Sequence, residues 1–192
     1  MRTNLRHRAL GATYFFTVRL AQRADDLLLH HVDALRDAMR QTKARFPFHI
    51  DAITVLPRTL HMLWTLPEGD SAYPARIAML KSRFSRAMPL PEGRSLSQIK
   101  RGEKGIWQTR YWEHQIRDGG DFARHRDLIY LSPVHAGLCA RPQDWAHTSL
   151  HRDLAQGGKA PAAIDQGAGD LRLTGHPRQI SKGSQIVVPQ AP

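Results

Sequence analysis

From Arg110 to Arg117 the chain reads Arg-Tyr-Trp-Glu-His-Gln-Ile-Arg, a stretch in which cations and rings interleave. Guanidinium groups grip phosphates and aromatic faces stack on unpaired bases, so this mixture suits a single-stranded polyanion. Side chains alternate across an extended strand. Arg110, Trp112 and His114 would therefore share one face, with Tyr111 on the other. Lys100, Arg101 and Lys104 just upstream, and Lys81, Arg83 and Arg86 on a helical stretch, are further candidate phosphate contacts. A charge run is also what any solvated face carries; Trp107 reads rather as a core residue, and Trp112 less so.

The charge balance points the same way. Lys and Arg number 28 against 17 Asp and Glu, which gives +11 at pH 7 and a pI near 10.6. Such a field favours polyanionic partners, nucleic acid first among them. Residues 156–192 hold no aromatic residue, six Gly and four Pro, and read as a flexible tail. Lys159, Arg172, Arg178 and Lys182 against Asp165 and Asp170 leave that tail at +2, so +9 belongs to residues 1–155. A hydrophobic content of 41% and a mean hydropathy of -0.46 fit a core in an aqueous domain. No apolar run spans a bilayer, no apolar signal segment follows the basic start, and no basic amphipathic helix carries Trp or Phe along one face. A cytoplasmic protein with no membrane partner is expected; the oligomeric state stays open. The single cysteine, Cys139, excludes an internal disulfide and a paired-cysteine zinc site, and reads as a small packed thiol.

The elements that would position these residues follow from periodicity. Tyr14–Leu20 reads as a strand. From Leu27 to Phe46 apolar residues recur at helical spacing, and Pro47 closes that helix. His49–Leu56 and Thr59–Leu66 read as two strands of a hairpin, separated only by Pro57-Arg58. A second helix covers Ala75–Ala87, residues 89–105 read as a loop, and Ile106–Ile116 looks extended. A third helix is expected to start near Gly120-Asp121 with Asp121 as its cap, and to stop by Ser132-Pro133. The order predicts an α+β, ferredoxin-like sandwich over residues 1–155, an antiparallel sheet with helices on one face, followed by the tail.

Three segments carry a family resemblance. Val55-Leu-Pro-Arg-Thr-Leu-His-Met-Leu-Trp64 resembles a strand of the form V-x-P-x-H-(apolar)-H-x-x-W. Ile106-Trp-Gln-Thr-Arg-Tyr-Trp-Glu-His-Gln-Ile-Arg-Asp118 is similar to I-W-Q-x-R-(F/Y)-W-x-H-x-I-R-D. Asp127–Leu138 resembles D-Y-I-x-x-N-P-V-x-x-G-L, and Pro142–Ser149 resembles the ending P-x-D-W-x-x-S-S. Together, over about residues 12–152, they resemble the REP-associated tyrosine transposases, single-tyrosine HUH-type nucleases acting on single-stranded, hairpin-forming repeat DNA. The resemblance implies two strand histidines and a polar helical residue holding Mg²⁺ or Mn²⁺, and a helical tyrosine that attacks a phosphate.

This chain departs from that set. Thr59 stands in the place of the first histidine, leaving His61; Leu128 stands in the place of the tyrosine; Ser132 replaces the third ligand. Tyr130 lies two residues beyond Leu128, about 200° around the helix, and fits packing better than attack. Three hypotheses follow. In the first, a DNA-binding module retains the fold and basic surface with impaired or lost nicking. In the second, an active transposase uses Tyr130 as a relocated nucleophile and His61 with Ser132 or His135 as ligands. The third, a basic RNA-binding domain, lacks the glycine–aromatic signature such modules carry. The first is favoured.

Overall fold

The structure is a computed structural model and describes residues 11–21, 26–90 and 94–162. Residues 163–192, most of the expected tail, lie outside the described residues. Strand β1 is Thr13–Arg19, followed by α1 (Leu27–His30) and α2 (Val32–Arg45). Next come β2 (His49–Val55), β3 (Thr59–Thr65) and α3 (Tyr73–Ala87). The remainder comprises α4 (Leu96–Lys100), β4 (Trp112–Gln115), α5 (Gly119–His135), a 3₁₀ turn at Pro142–Asp144, and α6 (Leu150–Ala155). Strand order in the antiparallel sheet is β2-β3-β1-β4. That is the α+β arrangement expected, and β2 and β3 form the expected hairpin. No helix among the described residues is long and apolar enough to cross a membrane.

Strand alternation sorts the sheet into two faces. Tyr14, Phe16, Val18, Leu60, Met62 and Trp64 point to the first, where they bury against Leu35, Met39, Ile77, Leu80 and Phe84 of α2 and α3. Phe15, Leu63 and Ala52 point to the second, against Leu128, Ile129 and Tyr130 of α5 and Leu150 of α6. Helices on one face alone were expected; α5 and α6 cover the other as well. The periodicity of α5 hid this, because it is buried at Leu128–Pro133 through consecutive residues.

Local sequence explains the other differences. The first predicted helix is interrupted at His31, which separates α1 from α2. The loop predicted over 89–105 contains α4, opened by a capping box in which Ser95 and Gln98 satisfy each other's backbone amides. Helix α5 is capped by Asp118, whose carboxylate accepts from the Asp121 amide at 2.8 Å, rather than by Asp121 itself. It also runs past Pro133 to His135. Pro133 has no amide proton to give the Ile129 carbonyl one turn earlier. The Ser132 hydroxyl donates to that carbonyl instead, at 2.7 Å.

The two ends of the sheet are treated differently. Along β2, the Val55 amide donates to His147 O, the Ser149 amide to Ile53 O, and Trp145 Nε1 to Val55 O. This covers the β2 edge. Beyond β4 no further strand pairs among the described residues.

The Ser132–Pro133 arrangement predicts non-additive stability. Ser132→Ala should cost about 1–2 kcal/mol by leaving a buried carbonyl unmet. In a Pro133→Ala background, where the amide returns, the same change should cost a few tenths at most. Urea denaturation of the four proteins of this cycle measures the coupling; equal costs in both backgrounds would remove the explanation.

Candidate functional site

Cross-strand register brings the motif residues into rows on the second face. Trp112 pairs with Thr17, Thr17 with His61, and His61 with Thr54, so the four form one row across β4, β1, β3 and β2. The neighbouring row is His114, Phe15, Leu63 and Ala52. The strand histidine and the aromatic motif thus share one face. Tyr111 packs against the first core, as alternation requires. Trp107 is a core residue, 5.3 Å from Phe84 with Nε1 donating to the Lys81 carbonyl, whereas Trp112 is 46% exposed.

Trp112 heads a series of rings. It lies parallel to His114, 5.9 Å between centroids and 9° between planes, and His114 stacks on His125 at 4.5 Å and 14°. Phe15 sits edge-on to Trp112 at 5.4 Å. The result is an aromatic ledge at the open β4 edge, with one large ring face left to solvent.

Asp121, 1% exposed, holds the ledge to α5. Its Oδ2 accepts from His114 Nε2 at 2.8 Å, the Arg117 amide at 3.1 Å and Arg117 Nε at 3.2 Å. Its Oδ1 accepts from Arg124 at 3.2 Å. Burial alone would raise its pKa, but the hydrogen bonds from His114 and Arg117 outweigh that and hold the carboxyl well below the usual carboxylate range. His125 Nδ1 lies 2.8 Å from the Asp121 carbonyl. Ligand atoms of His114, Asp121 and His125 come within 4.8 Å of one another, a spacing that could hold a cation. Two arginines and an amide already saturate the carboxylate, so its present task is to orient the ledge.

The residues at the place of the family's metal do not fit a divalent ion. His61 is 3% exposed, its Nδ1 is 3.0 Å from the Thr17 hydroxyl, and burial and then the charge of Arg19 push its pKa down to about 3. Thr59 pairs with Arg19, not with an acid. The Ser132 hydroxyl is committed to Ile129. Mg²⁺ and Mn²⁺ favour several oxygen ligands, and no carboxylate or amide belongs to the rows around His61.

Leu128 and Tyr130 are both buried. Leu128 is buried in the second core. Tyr130 is 1% exposed; its hydroxyl donates to Asp153 of α6 and lies 3.3 Å from Ser149 Oγ. Burial and the bond to Asp153 push its pKa up to about 12. With its hydroxyl buried and bonded to Asp153, Tyr130 ties α5 to α6. His135 lies exposed at the end of α5.

The cations separate into two groups. Arg117 stays beside the ledge through Asp121, and Arg110 is exposed just before β4. Lys81 donates to the carbonyls of Gln108 and Thr109, Arg83 to Gln41, and Lys104 to the carbonyl of Met88, all on the first-face side. Arg101 pairs with Glu103, and Arg86 and Lys100 are exposed. Lys81, Arg83 and Lys104 therefore brace α3 and its following loop rather than joining Trp112. Asp121 was singled out in the sequence only as a helix cap, and Thr17 and Arg19 not at all, although period-two alternation already places Thr17 and Arg19 on one face.

The chain was compared with known proteins. No family model matches it. A REP-associated tyrosine transposase of Haemophilus influenzae is 42% identical over 146 residues, covering 75% of this chain and 82% of the relative. One of Escherichia coli is 40% identical over 147 residues, covering 77% and 81%. A solved structure of a REP-associated tyrosine transposase bound to a REP hairpin superposes with a TM-score of 0.72 at 36% identity, over 91% of this chain and all of that one. With this identity over most of both chains, and with the four-stranded sheet in common, this protein belongs to the REP-associated tyrosine transposase family.

Proposed function

We propose that this protein binds single-stranded, hairpin-forming DNA through the Trp112–His114 ledge and does not cleave it through a tyrosine. One observation carries the second half. Leu128 occupies the nucleophile's place, and the nearest alternative, Tyr130, has its hydroxyl bonded to Asp153.

Support for the first half comes from chemistry and kinship. The solved relative holds a REP hairpin. In this chain an exposed indole stacked on an imidazole sits at an open sheet edge, with Arg117 tethered beside it. Base–aromatic stacking contributes about 1–3 kcal/mol per base, and Arg110 and Arg117 supply local positive charge for the backbone. The metal that the family uses to polarise a phosphate has no adequate ligand set at His61, so Mg²⁺ or Mn²⁺ is not required for binding on this reading.

Fluorescence anisotropy of a labelled hairpin with a short single-stranded flank tests the assignment. Trp112→Ala should weaken binding by about 10- to 100-fold without shifting Tm. Tyr130→Phe should leave affinity unchanged and lower stability by about 1 kcal/mol. Unchanged binding by Trp112→Ala would move the DNA elsewhere on the surface. Lys81→Gln offers a contrast between the two groups of cations. Because its ammonium is spent on the carbonyls of Gln108 and Thr109, this change should lower Tm while affinity stays within about twofold; a tenfold loss at constant Tm would place Lys81 on the DNA.

A further inference from the structure

Three of the five large hydrophobic side chains left exposed among the described residues, Leu90, Leu96 and Ile99, fall within ten residues between α3 and β4. Leu96 is 86% exposed and Ile99 51%, and at a spacing of three on α4 they share one side of its turn. The turn that carries them is held in shape. The Ser95–Gln98 capping box opens it, and the Glu103 amide returns to the Gln98 carbonyl at 2.9 Å. The Gln98 side chain lies so close to Gly105, at φ +72°, that a Cβ there would come within 2.6 Å of its Nε2. Lys104 ties the same loop to the Met88 carbonyl at the end of α3. A preformed helical turn thus presents two aliphatic side chains to water, against the hydrophobic effect.

Charge selects what could cover them. Residues 94–104 carry Arg94, Lys100, Arg101 and Lys104 against Glu103 alone, a net +3. A second copy of the turn would set +3 against +3, which opposes self-pairing, whereas a polyanion complements it. Aliphatic side chains gain against nucleic acid where base faces are open, and inserting them into a paired stem costs the unstacking of a step. The unpaired loop of a hairpin carries no such cost. Position fits as well. Trp107 bridges Leu20, and the Gln108 amide donates to the Arg19 carbonyl, so the chain between α4 and β4 runs beside the end of β1. Nine residues lead from Glu103 to Trp112, which keeps the turn within about 30 Å of the ledge. At about 3.4 Å per base pair, a stem of up to about nine pairs spans that distance.

We propose that α4 is a second DNA contact, in which Leu96 and Ile99 pack against unpaired loop bases of a hairpin whose single-stranded flank lies on the ledge. Arg94 and Lys100 flank the two in sequence and supply charge for the adjoining phosphates. The contact rests on the reading of Trp112 as the seat of the flank, and adds to it a preference for a hairpin over a plain single strand.

The test uses the full chain and three labelled DNAs: the single-stranded flank alone, the flanked hairpin, and the same hairpin with its loop nucleotides replaced by a polyethylene glycol linker. A chain carrying both Leu96→Ser and Ile99→Ser should keep its Tm, because both side chains are exposed. It should bind the looped hairpin about tenfold more weakly than wild type and the flank alone equally well. Wild type should lose the same tenfold on the linker hairpin, where the variant loses nothing further. Wild-type affinity of the variant for the looped hairpin would overturn the contact. An equal loss on both hairpins would overturn it too, by placing α4 on the stem. Sedimentation of the free chain reads the other occupant: a wild-type dimer that the variant dissociates, with DNA affinity intact, would give the turn to a second copy. Trp112→Ala reads the ledge separately. Unchanged binding of the flank by that variant would overturn the ledge, whatever the hairpins show for α4.

Discussion

The carboxylate of Asp121 is the joint on which the second face of this protein depends. It draws His114 from β4, the Arg117 amide from the connecting turn, and the side chains of Arg117 and Arg124 onto one buried group. A buried carboxylate is costly unless its lone pairs are met, so the geometry is strongly specified once the chain has folded around it. Fixing His114 fixes Trp112, which stacks on it, and fixing the first turn of α5 sets the path of that helix over the sheet. The exposed ledge is a consequence of a buried charge.

The two faces of the sheet divide the work. The first is a conventional apolar layer between strands and the pair α2 and α3, and it collects Trp64, Phe84 and Trp107. Several cations near it are spent on carbonyls at the ends and loops of those elements, which is a structural use of Lys81 and Lys104. The second face is only partly covered. Leu128, Tyr130 and Leu150 close it toward β2, whereas toward β4 it opens on Trp112, and at the start of β3 it carries Arg19 and Thr59. The open portion is furnished with rings and guanidiniums.

Much of this was legible before the structure. Alternation in Tyr14–Leu20 and Thr59–Leu66 gave the strands and their faces, and the separation of His61 from Thr59 by one residue placed both on one side. What escaped reading had local or long-range causes. Ser132-Pro133 looked like a stop because proline normally ends a helix, and only the bond from Ser132 to Ile129 shows why it does not. Asp118 and Asp121 are equally good caps by type, and the choice between them depends on which is claimed by His114. The pairing of Arg19 with Thr59 belongs to the β1–β3 register, across some forty residues, and neither local stretch announces it. The capping box at Ser95 and Gln98 carries its Ser-x-x-Gln signature inside a polar stretch that otherwise reads as loop.

Thr59, Leu128 and Ser132 each have a settled role in this fold: Thr59 beside Arg19, Leu128 in the second core, Ser132 under Pro133. The family's scaffold persists, and on the proposed reading it binds DNA without a tyrosine nucleophile. Intact-protein mass spectrometry after incubation with flanked hairpin DNA and Mn²⁺ tests that claim most directly, because a tyrosine transposase leaves a strand fragment covalently attached to itself. The account predicts that protein which shifts the hairpin on a native gel shows its unmodified mass of 21.7 kDa. A species heavier by a DNA fragment, absent in Tyr130→Phe, would contradict it.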